Sequence, residues 1–195
     1  MRTFWALLPL TMVLACERES SPSPAPTVVA PTVAPAAAPP TAPQPAAAVL
    51  TDELTVGAAP PDFTATAQDG TAVHLAALKG KPVVVYFYPK DETPGCTKEA
   101  CSFRDAWDAL AKKGVVMIGV SADTADSHKA FAATHKLPFL LVSDADGQLA
   151  KSFGVPFQGY TARQSFVIGS DGLLKKIYRK VDVSVHAQEI MADVQ

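Results

Sequence analysis

The sequence predicts an α/β fold in which a central mixed β-sheet is flanked by helices. Three patterns carry the prediction: short apolar, β-branched runs of strand length, helix-length segments between them, and a closing hairpin followed by a terminal helix. In chain order, Asp62-Phe-Thr-Ala-Thr-Ala-Gln alternates as a strand, and Asp69-Gly70 turns the chain into Val73-His-Leu. Pro82-Val-Val-Val-Tyr-Phe-Tyr88 is a continuous apolar run that suits a central strand buried on both faces, and Pro89 ends it. Thr93 to Lys112 reads as helix, Val115 to Val120 as a second buried strand and Thr124 to His135 as helix. Phe139 to Val142 forms a third strand, and Gly147 to Phe153 a short helix. Ser165 to Ile168 and Leu173 to Tyr178 pair across Ser170-Asp171-Gly172, and residues 184–194 close the chain as a helix. No internal repeat is visible.

The first residues are an address. Arg2 precedes an apolar run from Phe4 to Ala15 that ends at Cys16, the pattern of a secretory signal and too short to span a bilayer. A Cys directly after Val13-Leu14-Ala15 resembles a bacterial lipoprotein processing site, which makes Cys16 the lipidated first residue of the mature protein. Leu14 departs from that pattern, where a smaller residue is commoner. The alternative is an ordinary signal peptide that contains a Cys. Residues 20–48 follow, with 9 Pro, 10 Ala and no charge in 29 positions. They lack the apolar periodicity needed to offset ordering entropy and favour extended polyproline II, which at ~3.1 Å per residue reaches on the order of 90 Å. The expected organisation is a leader over 1–15, a Pro/Ala tether over 16–49 and one domain over 50–195. Taking the first 48 of 195 residues away leaves 147, enough for one core and too few for two.

Composition removes several classes. Seventeen basic and 19 acidic residues give a net charge of −2 without a long basic run, which does not support nucleic-acid binding. Three cysteines are too few for a disulfide-built scaffold. His74, His128, His135 and His186 are scattered, so neither a metal nor another cofactor is expected.

The chemistry concentrates at Pro89-Lys-Asp-Glu-Thr-Pro-Gly-Cys96-Thr-Lys-Glu-Ala-Cys101. Thr93 is a good N-cap, and Pro94 fits the first helical position. Cys96 then lies in the first turn, beside unpaired backbone N–H groups and the positive end of the helix dipole, where a thiolate is favoured. At ~100° per residue Ala100, Phe103, Trp107 and Leu110 all lie within about 40° of Cys96, so it heads the stripe that faces the core. Cys101 is about 140° round the same helix, with a Cα separation of about 8.7 Å. A disulfide needs roughly 6.8 Å or less. The pair either never bonds or bonds when the first turns unwind. A redox pair that unwinds its own helix fits this spacing; two inert thiols, or a simple disulfide in a non-helical loop, are the alternatives. The C-x-x-C of thioredoxin-type exchange is absent.

At these residues the sequence resembles a peroxiredoxin. Pro89-x-x-x-Thr93-x-x-Cys96 matches that family's active-site motif, and YFYPKDETPGCTKEACSFRD is similar to the bacterioferritin comigratory protein, or PrxQ, branch. Arg163-Gln-Ser-Phe-Val-Ile-Gly-Ser-Asp-Gly172 resembles the segment with the family's active-site Arg, with Ser165 where Thr is more usual. The likeness runs from Leu50 to Gln195 and leaves out the leader and tether.

The resemblance implies a thioredoxin-like fold and a thiol-dependent peroxidase for hydrogen peroxide and organic hydroperoxides. It makes Cys96 peroxidatic and Cys101 resolving, places Thr93 and Arg163 at the peroxide, and has Pro89 wall the pocket. A thioredoxin-like dithiol would recycle the enzyme, acting as a monomer. With the lipid anchor, the expected location is the periplasmic side of a bacterial cell envelope. The competing readings are an envelope thiol-disulfide oxidoreductase and a non-catalytic lipoprotein that keeps the fold as a scaffold.

Overall fold

The computed structural model describes residues 54–194. The leader, Cys16, the tether and the expected domain boundary at residue 50 lie outside the described residues. A short hairpin of β1 (Thr64–Thr66) and β2 (Ala72–His74) pairs antiparallel across the Asp69-Gly70 turn. It is followed by a 3-10 turn at Leu75–Leu78, which the alternation of the sequence did not announce.

Five strands form the main sheet among the described residues: β3 (Val83–Phe87), β4 (Val116–Ser121), β5 (Leu140–Ser143), β6 (Gln164–Ile168) and β7 (Leu174–Tyr178). Their spatial order is β5-β4-β3-β6-β7. β3, β4 and β5 run parallel, while β6 is antiparallel to both β3 and β7. The sheet is thus mixed, as expected. The helices are α1 (Pro94–Asp105), α2 (Trp107–Lys112), α3 (Ala125–His135), α4 (Gln148–Ser152) and α5 (His186–Asp193).

The core lies on both faces of β3, and the period-2 alternation of a strand decides which residue faces where. Val84, Tyr86 and Tyr88 pack on the side that holds Ala100 and Phe103 of α1 and Ile190 of α5. Val83, Val85 and Phe87 pack on the other side with Ala150, Phe153 and Phe166. All five β3 residues are buried, which is why this strand reads as an unbroken apolar run. Tyr86 centres the first layer: its ring lies 5.1 Å from Phe103 and 5.4 Å from Tyr88. Gly119 of β4 makes room for it, because a Cβ there would stand 2.7 Å from both the Tyr86 ring and Leu141.

The single helix expected over 93–112 is two helices. The break falls at Ala106, whose φ −88° and ψ −1° depart from the helix between Asp105 and Trp107. No Gly or Pro marks it, so the sequence carries no local signal for the break. The stripe predicted from Cys96 is buried through Ala100 and Phe103 and resumes at Leu110, while Trp107, next to the break, is only half-buried against Phe139.

Candidate active site

The site begins where β3 ends. The residue after the strand, Tyr88, donates its N–H to the Val120 carbonyl at 3.1 Å, and its own carbonyl accepts from the Thr161 hydroxyl at 2.6 Å. Three residues on, the buried Asp91 carboxylate accepts from the Tyr88 hydroxyl at 2.8 Å and the Ser127 hydroxyl at 2.7 Å, and lies 3.0 Å from His128 Nδ1. The Asp91 N–H donates to Asp123 at 2.9 Å. Burial alone would raise the Asp91 carboxyl, but the bonds from His128, Ser127 and Tyr88 outweigh it and hold it below its ordinary range. This network fastens residues 88–93, with half-buried Pro89 among them, to β4 and α3.

Thr93 then takes the extended backbone of an N-cap, and Pro94 opens α1. The cap differs from expectation, because the Thr93 side chain makes no bond to the helix N–H groups. Its hydroxyl donates to the Lys90 carbonyl at 2.9 Å, which ties the loop back on itself and leaves the oxygen lone pairs to accept from a ligand. Thr97 N–H bonds the Thr93 carbonyl, and Pro94 has no N–H, so the first-turn donors left are those of Gly95 and Cys96.

Cys96 is buried at 2% exposure in that first turn. Arg163 reaches it from just before β6, the strand next to β3. The register pairs Phe87 with Gln164, so the residue before β6 sits beside the exit of β3. Arg163 Nη2 donates to Cys96 Sγ at 3.0 Å and passes over Gly95, where a Cβ would touch it at 3.5 Å. Arg163 Nη1 pairs with Glu99 Oε2, one turn along α1 from Cys96. Its own burial opposes the charge, but Glu99 and Cys96 outweigh this and hold the guanidinium above its ordinary value.

Glu99 is buried at 1% exposure, and burial pushes its carboxyl up to about 7 against the opposing charge and hydrogen bond of Arg163. Its second oxygen, Oε1, has no hydrogen-bond partner and lies 4.0 Å from His186 Nε2. That imidazole is spoken for by the Ser165 hydroxyl at 2.8 Å and by Glu189 at 3.3 Å from Nδ1. Burial lowers His186, with the Arg163 charge adding to it and Glu189 opposing. Cys101 lies farther down α1, half-buried, and both thiols are free.

Cys96, Thr93, Pro89 and Arg163 therefore converge on one end of the sheet, and Cys101 lies off that centre on the same helix. In the sequence Glu99 falls within the matched string, where its side chain could bond near the site or face solvent. Its i, i+3 spacing from Cys96 was the available signal, since those positions share a helix face. The sequence does not single out His186, because the contacts that bring it to the site, with Ser165 and Glu99, come from other elements.

The arrangement can hold a thiol sulfur, a permanent cation and two backbone donors around one point, the set required to stabilise charge on a reacting oxygen. Comparison with known proteins points the same way. The model of the AhpC/TSA family matches residues 56–177. A chloroplastic peroxiredoxin Q of Sedum lineare is 47% identical over 65% of this chain and 69% of its own length. The chain spans only 61% of the similar wheat protein from Triticum aestivum. A Coxiella burnetii protein named as a putative peroxiredoxin bcp is 41% identical over 71% of this chain and 97% of its own. Among solved structures, the peroxidoxin BcpB of Mycobacterium tuberculosis superposes with a TM-score of 0.66 at 34% identity, covering 72% of this chain and 96% of that one. The Xanthomonas campestris bacterioferritin comigratory protein, whose structural study concerns alkyl peroxide reduction, gives 0.62 at 35% identity, covering 67% and 88%.

The raised Glu99 makes stability depend on pH. Its folded value of about 7 exceeds the ordinary 4.5, so folding favours the protonated form. Its contribution is complete below pH 4.5 and is lost as pH rises through 7. Glu99→Gln removes that titration. The stability of E99Q relative to the parent, measured by urea unfolding, should rise by on the order of 3 kcal/mol between pH 4.5 and about 8. A difference that stays flat across that window contradicts the assignment.

Proposed function

The chain belongs to the AhpC/TSA family, and from that premise we propose that it is a thiol-dependent peroxidase working through a two-cysteine cycle on Cys96 and Cys101. The observation that carries the proposal is the Arg163 guanidinium 3.0 Å from Cys96 Sγ in the first turn of α1. The Cys96 thiolate attacks one oxygen of hydrogen peroxide or an organic hydroperoxide. The O–O bond breaks, the leaving oxygen takes a proton and departs as water or alcohol, and Cys96 becomes a sulfenic acid. Arg163 and the Gly95 and Cys96 N–H groups face the negative charge that develops on the oxygens, and Thr93 accepts a hydrogen bond from the peroxide.

The Cys101 thiol then attacks the sulfenic sulfur, forming the disulfide and releasing water. The two thiols sit five residues apart on the continuous helix α1, so the first turns must unwind for the bond to close. A thioredoxin-like dithiol restores both thiols and is itself oxidised to a disulfide. Because both cysteines belong to one chain, the cycle needs no second subunit, and we assign the working form as a monomer.

We also propose that residues 1–15 are removed and Cys16 is lipidated, so that the Pro/Ala tether holds the domain off a bacterial envelope membrane on its periplasmic side. The support is the apolar run ending at Cys16 and the uncharged segment behind it. Mass analysis of the membrane-extracted protein should find a mature chain beginning at an acylated Cys16. A protein that a salt wash releases, with an unmodified Cys16, contradicts the anchor.

Stoichiometric peroxide tests the cycle. One equivalent added to the reduced protein should remove both Cys96 and Cys101 thiols within seconds and lower the mass by about two hydrogens. Cys96→Ser should abolish peroxide consumption. Cys101→Ser should turn over once and leave a sulfenic acid open to over-oxidation. Undiminished turnover in C96S sinks the peroxidase assignment, and normal repeated cycling of C101S with a dithiol sinks the resolving role.

A further inference from the structure

A second polar cluster lies on the outer side of α1, away from Arg163. Cys101 Sγ is 3.9 Å from His135 Nδ1, and His135 Nε2 is 3.0 Å from Glu92 Oε2. These residues come from three places: the loop before α1, the middle of α1 and the last turn of α3. We propose that His135, oriented by Glu92, is the acid–base residue of Cys101: it takes the thiol proton for resolution and returns it when a dithiol reopens the disulfide. The proposal rests on the reading of Cys101 as the resolving thiol.

The geometry fixes the direction of the proton. A neutral imidazole carries one N–H, and the Glu92 carboxylate at Nε2 can only accept. The N–H therefore belongs at Nε2, which leaves the Nδ1 lone pair facing Cys101. A base held in one tautomer by a carboxylate behind it is the arrangement by which enzymes activate hydroxyl and thiol nucleophiles. When the imidazole takes up the proton, the new charge sits between Glu92 and the C-terminal end of α3.

Two further observations bear on the cluster. Glu92 has φ +57°, a left-handed backbone that non-glycine residues rarely adopt, and it makes its contact with His135 from that conformation. Arg104 of α1 donates to the His135 carbonyl at 2.9 Å and pairs with Asp105, which is also on α1. The hydrogen bond to Asp105 raises the Arg104 guanidinium.

The reaction balances without another reactant. The Cys101 S–H proton moves to His135 Nδ1, the sulfur electron pair forms the S–S bond with Cys96, and the S–O bond breaks. The hydroxide released takes a proton and leaves as water. In the return direction the attacking dithiol forms a mixed disulfide with Cys96, Cys101 leaves as thiolate, and His135 reprotonates it.

A free cysteine is only a few per cent thiolate at pH 7, so a base that ionises it fully gains on the order of 30-fold. The test is quench-flow mass spectrometry of the full chain after one equivalent of hydrogen peroxide, following the Cys96 sulfenic acid and then the disulfide. Appearance of the sulfenic acid reports on Cys96 and on the fold of each variant. His135→Gln and His135→Ala should slow disulfide formation about 10- to 30-fold at pH 7 and remove the histidine limb from its pH profile, with a smaller loss in Glu92→Gln. Added imidazole should restore the rate in H135A. Disulfide formation within twofold of the parent across pH 5.5–8.5 overturns the proposal. So does a slowed rate that keeps the parent's pH profile and ignores imidazole, because that is the behaviour of a purely structural contact. If Cys101→Ser loses its sulfenic acid at the parent's rate without added thiol, the two-cysteine reading itself fails, and the role of His135 with it.

Discussion

A rigid helix holds residues five apart at about 8.7 Å between Cα atoms, beyond the reach of a disulfide, and the design of this protein turns on that distance. The helix places Cys96 where a thiolate is wanted, in a first turn with free N–H donors and a guanidinium 3.0 Å away. The same helix keeps Cys101 from it. In the proposed cycle, peroxide chemistry needs the helix formed, and closing the Cys96–Cys101 disulfide needs its start undone. The packing divides accordingly. Phe103, farther along α1, is fully buried against Tyr86 and the His186 ring, whereas the opening turn carries exposed Pro94, half-buried Gly95 and a thiol whose main partner is a side chain.

Arg163 connects this helix to the sheet and does so through two anions at once. The buried pair with Glu99 would be costly if either partner were left alone. Glu99 meets that cost partly by holding its proton up to about 7, which leaves more of the guanidinium charge for the sulfur when the carboxyl is neutral. His186 stands 4.0 Å from the unpartnered Glu99 oxygen and is itself lowered by burial, so the layer beneath the thiol carries less charge than its residue types suggest. The Asp91 network plays a different part: it secures the loop from the outside, and its carboxylate stays ionised because Tyr88, Ser127 and His128 surround it with bonds.

How much of this the sequence reveals follows from whether the signal is local. The strands were legible because burial on both faces makes Val83–Phe87 an unbroken apolar run, and the helix start was legible because Thr93-Pro94 is a local rule. Cys96 was placed in the first turn and on the core-facing stripe by the helix start and periodicity, whereas its proposed peroxidatic role and the assignment of Arg163 came from motif likeness. The break at Ala106 was invisible, since Ala and its neighbours are compatible with helix and only tertiary packing decides there. Contacts set by register were invisible too. Arg163 and Glu99 are 64 residues apart, and Cys101 and His135 are 34 apart, with nothing local in either case to announce the pairing. Thr93 illustrates the mixed case: its position was predictable, but its hydroxyl chose the Lys90 carbonyl over the helix.

The most direct measurement is amide hydrogen exchange over residues 93–104 in the fully reduced protein and in the protein oxidised by one equivalent of peroxide. An intact α1 in the reduced state should protect the amides from Thr97 onward through their i to i−4 bonds. Oxidation should raise their exchange at least tenfold, while β3 and β4 keep their protection. Identical exchange in the two states, with mass analysis confirming a Cys96–Cys101 disulfide in the oxidised sample, would contradict the unwinding on which the account depends.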